Sequence, residues 1–250
     1  MSESGNASTD LRPRSGETLE LDPADIFEPI SFAAIFENNQ PIEVDLGSGA
    51  GRFLIEAARQ YPEKDFFGVE RLLGRVRKTL RSASRLGLTN IRVLRLEIDY
   101  TVRYLLSPGS VSRLHLSFPD PWPKRRHQRR RLVDEDFLAA SANALATGGE
   151  LWIKTDHADY FQCITKAVDS RRDLFVSVPW VEEYPTTDFE ETYRSQDLPI
   201  YRMRLRKVNC PPRNVWSFSA SPQSSNVTAP SSLKNSVGLW LGRPLRLPCA

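Results

Sequence analysis

The sequence is poor in the residues that build redox and metal chemistry. Its three cysteines, Cys163, Cys210 and Cys249, lie far apart and form no C-x-x-C pair. The three histidines, His115, His127 and His157, give no zinc-ligand spacing with them. No metal site is expected, and an odd, sparse thiol count fits a reducing compartment better than a disulfide scaffold. No stretch holds 18 consecutive apolar residues, so no membrane span is expected. The opening MSESGNASTDLRPRSGE lacks the apolar core of a secretory signal, and the cytoplasm is the expected location. Net charge is only +3, so the total does not mark a nucleic-acid binder. There is no internal repeat, and no Ser/His/Asp or Cys/His arrangement stands out as a nucleophilic centre.

What is present is an ordinary globular composition, 40% apolar and 26% charged, on a chain of 250 residues. That length holds one α/β domain with a sizeable core and flanking segments. Residues 1–20 are polar, with the composition of a disordered segment. Residues 209–250 contain eight serines, six prolines and no acid, the composition of a disordered tail. Its SVGLWLGRPL stretch is apolar enough to dock, with no partner indicated. The globular domain is expected over 21–208, opening with a helix near Asp22-Pro23 that aligns Ile26, Ile30, Ala33 and Ala34.

Charge is segregated along the chain. Residues 41–70 carry six acids against three bases, whereas 71–95 carry eight Lys/Arg and no acid. Between the termini, strand and helix patterns alternate. Strands are expected over 41–46, 65–70, 90–97, 112–118 and 150–155, with further candidates over 173–181 and 200–208. Helices are expected over 51–61, 71–87, 99–106, 133–149 and 156–170. The second aligns Leu72, Val76, Leu80 and Ala83 and ends at Gly87; the fourth stops at Gly148-Gly149. Repeated β-α units imply an α/β fold with a mostly parallel sheet and helices on both faces.

The stretch EVDLGSGAGRF places Gly47, Gly49 and Gly51 between the first strand and its helix. Glycines there permit a tight turn and close backbone approach to a ligand. The spacing departs from the dinucleotide fingerprint, because Arg52 stands where the third glycine would be. Four acids then fall at successive strand ends: Asp45, Glu70, Glu97 and Asp120. Ligands of open parallel sheets bind outside those carboxyl ends. Four carboxylates would repel a pyrophosphate. They suit a cationic ligand with a ribose, and S-adenosylmethionine has a sulfonium, an ammonium, an adenine and a ribose diol.

Asp120 sits in FPDPWPKRRHQRRR. Pro119 and Pro121 flank it and fix its neighbours' φ, which restricts the free loop. Six positive charges follow within residues 124–131. A rigid carboxylate beside such a run reads as a junction between a pocket for a cation and a track for RNA phosphates. The basic helix 71–85 would also track phosphates, or else present a solvated face. Trp122 would stack on a base or anchor the loop.

EVDLGSGAGRFL, DFFGVE, FPDPWPKRRHQRRRL, KTDHADY and TDFE together resemble the bacterial tRNA (guanine-N7-)-methyltransferases, over about residues 25–208. The resemblance implies a Rossmann-like class I methyltransferase that uses S-adenosylmethionine to methylate N7 of guanosine 46 in the tRNA variable loop. It implies cofactor contacts from Asp45, Gly47, Gly49, Gly51, Glu70, Glu97 and Asp120, with Asp120 also at the reaction centre. Asp99 stands beside Glu97 as an alternative. Substrate contacts are implied for Lys124, Arg126, His127, Arg129, Arg130, Arg131, Asp156, Thr187, Asp188, Phe189 and Glu190. Taken without the resemblance, Asp156 reads as a helix cap and Thr187-x-x-Glu190 as a capping box. A non-catalytic RNA-binding protein on the same fold, or a methyltransferase for another RNA base, stays open. Monomer and homodimer are not distinguished.

Overall fold

The computed structural model describes residues 19–21, 27–180 and 184–208. The expected disorder of 1–20 and 209–250 therefore lies outside the described residues, apart from Leu19 and Glu20. So does the start of the expected helix near Asp22. Elements follow in the order β1 (Glu20–Leu21), α1 (Phe32–Phe36), β2 (Ile42–Leu46), α2 (Arg52–Gln60), β3 (Asp65–Val69), α3 (Leu73–Arg85), β4 (Ile91–Leu94) and α4 (Ile98–Tyr100). A π-helical turn (Thr101–Leu105) leads to β5 (Val111–Ser117), and a 3₁₀ segment (Arg125–Arg130) to α5 (Glu135–Ala144). Then come β6 (Leu145–Thr155), α6 (Ala158–Ser170), β7 (Phe175–Val178), α7 (Asp188–Ser195) and β8 (Tyr201–Lys207).

The eight strands form one sheet in the order β1-β4-β3-β2-β5-β6-β8-β7. Pairing is parallel from β1 through β6, and β8 runs antiparallel to both β6 and β7. β2 and β3 are buried along their whole length, as strands covered on both faces must be. Their alternation divides the core. Phe66 packs with α2 and α3 residues Phe53, Leu54, Val76 and Ala83. Phe67 packs on the other face with Phe32, Phe137 and Tyr160 of α1, α5 and α6. Among the described residues, no helix is long and apolar enough to cross a membrane.

Three expectations are corrected. Among the described residues the first helix is Phe32–Phe36; it buries Phe32 and Phe36 and leaves Ala33 and Ala34 exposed. Ile30 is buried, but through an isolated bridge to Leu106. The helix expected over 133–149 ends at Ala144, because buried Leu145 pairs in register with Val111. Strand pairing there outweighs the helix preference of Ala-Leu-Ala. Gly148 and Gly149 thus lie inside β6 at a register shift, where a Cβ on Gly149 would stand 3.0 Å from Ser112 O. On α3, Leu72 is exposed and buried Thr79 fills the core-facing row beside Val76 and Ala83.

One face of the central strands carries charge. Glu43 on β2 is 2% exposed and accepts from His115 Nε2 at 2.7 Å and Lys64 Nζ at 2.8 Å. Burial pushes its carboxyl up, but these hydrogen bonds and the Arg113 charge outweigh it and bring it down to about 2. His115 is driven toward its neutral form by burial, against the pull of Glu43. It therefore serves as a buried donor and a ring packed edge-on to Trp152.

Candidate active site

The parallel half of the sheet opens at its carboxyl edge, and four adjacent strands, β4-β3-β2-β5, deliver the four acids there. Asp45 is the penultimate residue of β2 and is 3% exposed. Its carboxyl makes no hydrogen bond to any described residue. Burial raises its carboxyl to about 7, with Lys154 pulling it down and Glu70 pushing it up. A buried acid lacking a donor is costly unless something external supplies one.

The loop after β2 turns on three glycines at positive φ: Gly47 at 87°, Gly49 at 57° and Gly51 at 82°. Gly51 has a further constraint, because a Cβ there would lie 2.4 Å from Thr79 on α3. Glu70, just past β3, holds this loop in place. Its Oε2 accepts from Gly49 N at 3.1 Å and its Oε1 from Leu72 N at 2.8 Å. Arg75 Nη1 stands 3.6 Å from Oε2 as well. An ionised carboxylate has about four acceptor sites, so acceptor capacity remains.

Glu97 and Asp99 part ways. Glu97 is exposed and reaches Arg71, at 3.5 Å, across the ends of β4 and β3. Asp99 instead binds Arg103 Nε at 2.7 Å, and Arg103 also contacts Asp134 at the start of α5. The two acids thus have different partners, Glu97 pairing back toward the end of β3 and Asp99 toward α5.

Asp120 is exposed and meets no hydrogen-bond or ion-pair partner among the described residues. Its loop is held from both sides. Phe118 N donates to Lys154 O at 2.8 Å, extending the β5–β6 ladder by one residue. Phe118 and Trp122, on either side, both have positive φ, 54° and 42°. Aromatic residues in that region carry strain of about 1–3 kcal/mol each, which surrounding contacts must offset. Phe118 packs on Phe189 at 4.7 Å; Trp122 meets His127 edge-on at 5.8 Å and lies under Arg130 at 5.0 Å.

The cationic run winds into the 3₁₀ segment, with Lys124 at its N-cap. Lys124, Arg125, Arg126, Arg129 and Arg130 are exposed, and none touches Asp120. His127 is half-buried and accepts from Arg126 Nε at 3.2 Å. Arg131 differs from the rest. Its Nε donates to Pro121 O at 2.8 Å and its Nη1 to Cys163 Sγ at 2.9 Å, over the Tyr160 ring. It pins the loop from behind.

The remaining sequence-chosen residues gather around α7. Asp156 follows β6, and its Oδ2 accepts from Tyr193 OH at 2.7 Å. The helix beside it is capped by His157 Nδ1, which accepts from Tyr160 N, so Asp156 is not the cap. Thr187 does cap α7, accepting from Glu190 N at 3.0 Å. Glu190 does not complete a capping box. It turns inward, fully buried, onto Lys154 Nζ at 2.7 Å and onto Arg194 and Arg202 at 3.0 Å each. Asp188 and Glu191 pair with Arg52 at the first turn of α2, which places the start of α7 against the glycine loop's helix. Phe189, 44% exposed, stacks on Tyr193.

Lys154, Tyr193 and Arg52 were not singled out from sequence. For Lys154 there was a signal: Glu150, Trp152 and Lys154 alternate on β6 opposite Arg202, Arg204 and Arg206 of β8.

The donor set fits an S-adenosylmethionine-like ligand. A buried acid has no donor among the described residues, a second acid beside the glycine turn keeps acceptor capacity, and the turn has glycines at positive φ.

Comparison with known proteins gives the same picture. A family profile described as "Putative methyltransferase" matches residues 39–203. A tRNA (guanine-N(7)-)-methyltransferase of Syntrophotalea carbinolica is 32% identical over 185 residues, covering 72% of this chain and 79% of that protein. One from Lactobacillus delbrueckii subsp. bulgaricus is 34% identical over 210 residues, 76% of this chain and 94% of that one. Among solved structures, the antibiotic-resistance methyltransferase Kmr superposes with a TM-score of 0.51 at 17% identity, over 71% of this chain and 92% of that one. That likeness shows the Rossmann-like methyltransferase fold.

Proposed function

The chain belongs to the tRNA (guanine-N(7)-)-methyltransferase family, and from that premise we propose that it methylates N7 of guanosine 46 in the tRNA variable loop. S-adenosylmethionine supplies an electrophilic methyl group on a positively charged sulfur. The observation that carries the reading is Asp120: an exposed carboxylate without a partner among the described residues, fixed between two strained aromatic residues just past the end of β5 and before a run of exposed cations.

The roles follow from the chemistry of each group. Asp45, once ionised, faces the cofactor's positive end. Glu70 holds the glycine turn with two acceptor sites and offers the others to the ribose hydroxyls. Glu97 borders the adenine side, and Gly47, Gly49 and Gly51 let the backbone approach. N7 of guanine has a lone pair and no proton, so no general base is needed. The residues must align nucleophile and methyl carbon and exclude water. Methylation leaves the purine cationic, and Asp120 stabilises that developing charge or accepts from the guanine's donor edge. Lys124, Arg126, His127, Arg129 and Arg130 contact phosphates. Asp156, Thr187, Asp188 and Phe189 frame the substrate, with Phe189 offering a stacking face, buried Glu190 tying α7 to Lys154 and Arg131 holding the loop. We place this reaction in the cytoplasm, with its tRNA substrate.

The test uses tritium-labelled S-adenosylmethionine with tRNA carrying guanosine or adenosine at position 46. The guanosine form should be labelled and the adenosine form not. Equal labelling of both would sink the reading.

A further inference from the structure

Most exposed arginines outside two regions are committed to acids. Arg52, Arg59, Arg71, Arg75, Arg172 and Arg194 each sit within 4.0 Å of a carboxylate. Apart from the isolated Lys166, the exposed cations that meet no carboxylate among the described residues fall into two groups. One is Lys124 to Arg130, beside Asp120. The other is Arg77, Lys78, Arg81 and Arg85 on α3.

The second group is not scattered. α3 buries Val76, Thr79 and Ala83, and these four cations all stand on the opposite, exposed side. Arg77, Arg81 and Arg85 recur every four residues, about 6 Å apart along the axis, with Lys78 beside them. Like charges at that spacing destabilise a helix by about 0.2–0.5 kcal/mol per pair. The sequence of α3, LGRVRKTLRSASR, has no acid to relieve them. Only Arg85, in the last turn, gains from the helix dipole. The stripe weakens the fold, and an external polyanion is what would compensate it. The apolar side of α3 is already in the core, so the helix has nothing to insert into a bilayer.

Position gives the stripe its role. α3 begins two residues after Arg71, at the strand ends where the acids gather, and runs back along the sheet for about 20 Å. Its unpaired cations therefore lead away from the reacting centre. We propose that this face of α3 is a second tRNA contact, which holds the phosphate backbone of the tRNA body away from the methylated loop. The inference rests on the tRNA reading above.

The experiment compares the wild-type protein, the quadruple variant Arg77→Gln/Lys78→Gln/Arg81→Gln/Arg85→Gln, and a charge-preserving variant, Arg77→Lys/Arg81→Lys/Arg85→Lys. Methyl transfer to tRNA, tRNA binding from 50 to 200 mM salt, and S-adenosylmethionine binding are measured for each. The quadruple variant should show a KM for tRNA raised about tenfold or more. Its salt slope should be shallower by about 3, at roughly 0.7 per phosphate contact. Its kcat and S-adenosylmethionine affinity should match wild type, and the Lys variant should bind tRNA as wild type does. A quadruple variant with unchanged KM and salt slope, on a wild type that methylates tRNA, overturns the inference alone. A wild type that binds S-adenosylmethionine but methylates no tRNA overturns the tRNA reading and this inference together. Equal loss in the Gln and Lys variants would mean a structural role and overturn the phosphate contact.

Discussion

Lys154 Nζ donates to Glu190 Oε2 at 2.7 Å, and both residues are buried, Glu190 fully. The pair joins the end of β6 to α7, and Lys154 also exerts its charge on Asp45. One lysine thus links the buried acid of β2 to the helix carrying Phe189. Glu190 also gathers Arg194 and Arg202, so among the described residues it is the one counter-ion for three cations.

Removing one partner of a buried pair leaves an uncompensated charge, at about 3–5 kcal/mol. Glu190→Ala is expected to lose that much in urea unfolding. Glu191→Ala, on the same helix but with a side chain 55% exposed, is expected to lose less than about 1 kcal/mol. Equal losses in the two variants would show that Glu190 has no special place in the fold.

Asp45 links stability to pH. Its folded carboxyl is raised from 3.8 to about 7, so the folded state keeps a proton that the unfolded chain releases above pH 4. Its contribution to stability is present at low pH, falls as pH rises from about 4 to 7, and is lowest above 7. The total is on the order of 4 kcal/mol, at 1.36 kcal/mol per pKa unit. Asp45→Asn should therefore raise the Tm at pH 8 while abolishing S-adenosylmethionine binding. In the wild type, cofactor affinity should increase between pH 6 and pH 8, because the ionised acid is the binding form. Calorimetry across that range checks both signs.

Two glycines should respond in opposite directions. Gly51→Ala meets Thr79 at 2.4 Å in a left-handed conformation and should destabilise by about 3 kcal/mol, with loss of cofactor binding. Gly74→Ala, inside α3 with nothing within 4 Å of its Cβ, should stabilise by about 0.5–1 kcal/mol. Thermal unfolding of the two variants side by side reads both.

Asp120 is exposed and has no hydrogen-bond or ion-pair partner among the described residues, so its truncation should spare the fold. Asp120→Ala is expected to lower kcat by about 10²–10³ with an unchanged Tm. Turnover near the wild-type rate would remove it from the reaction centre.

The strand-end acids were legible in the sequence because a parallel sheet converts chain order into position: each β-α unit ends one strand at the same edge. Asp45, Glu70, Glu97 and Asp120 could be placed without knowing any contact. The different surroundings of Glu97 and Asp99 could not be, because Asp99 pairs with Arg103, which turns toward Asp134 only in the folded chain. Glu190 was visible as a capping-box residue, yet its inward turn depends on Lys154 and Arg202 from strands that pair only in the folded sheet. Arg131 looked like its neighbours in the basic run, and only the folded loop shows it turned toward Pro121. The helix end at Ala144 was misplaced for the same reason: a strand register with Val111 overrides local preference.

The central claim is that this pocket delivers a methyl group to guanine N7 in tRNA with Asp120 beside the reacting base. The most direct measurement is mass spectrometry of nucleosides from tRNA treated with S-adenosylmethionine and either wild-type protein or Asp120→Ala. Wild type should yield 7-methylguanosine confined to position 46, and Asp120→Ala should yield almost none. Methylation on another base or another ring atom, or equal 7-methylguanosine from both proteins, would contradict the account.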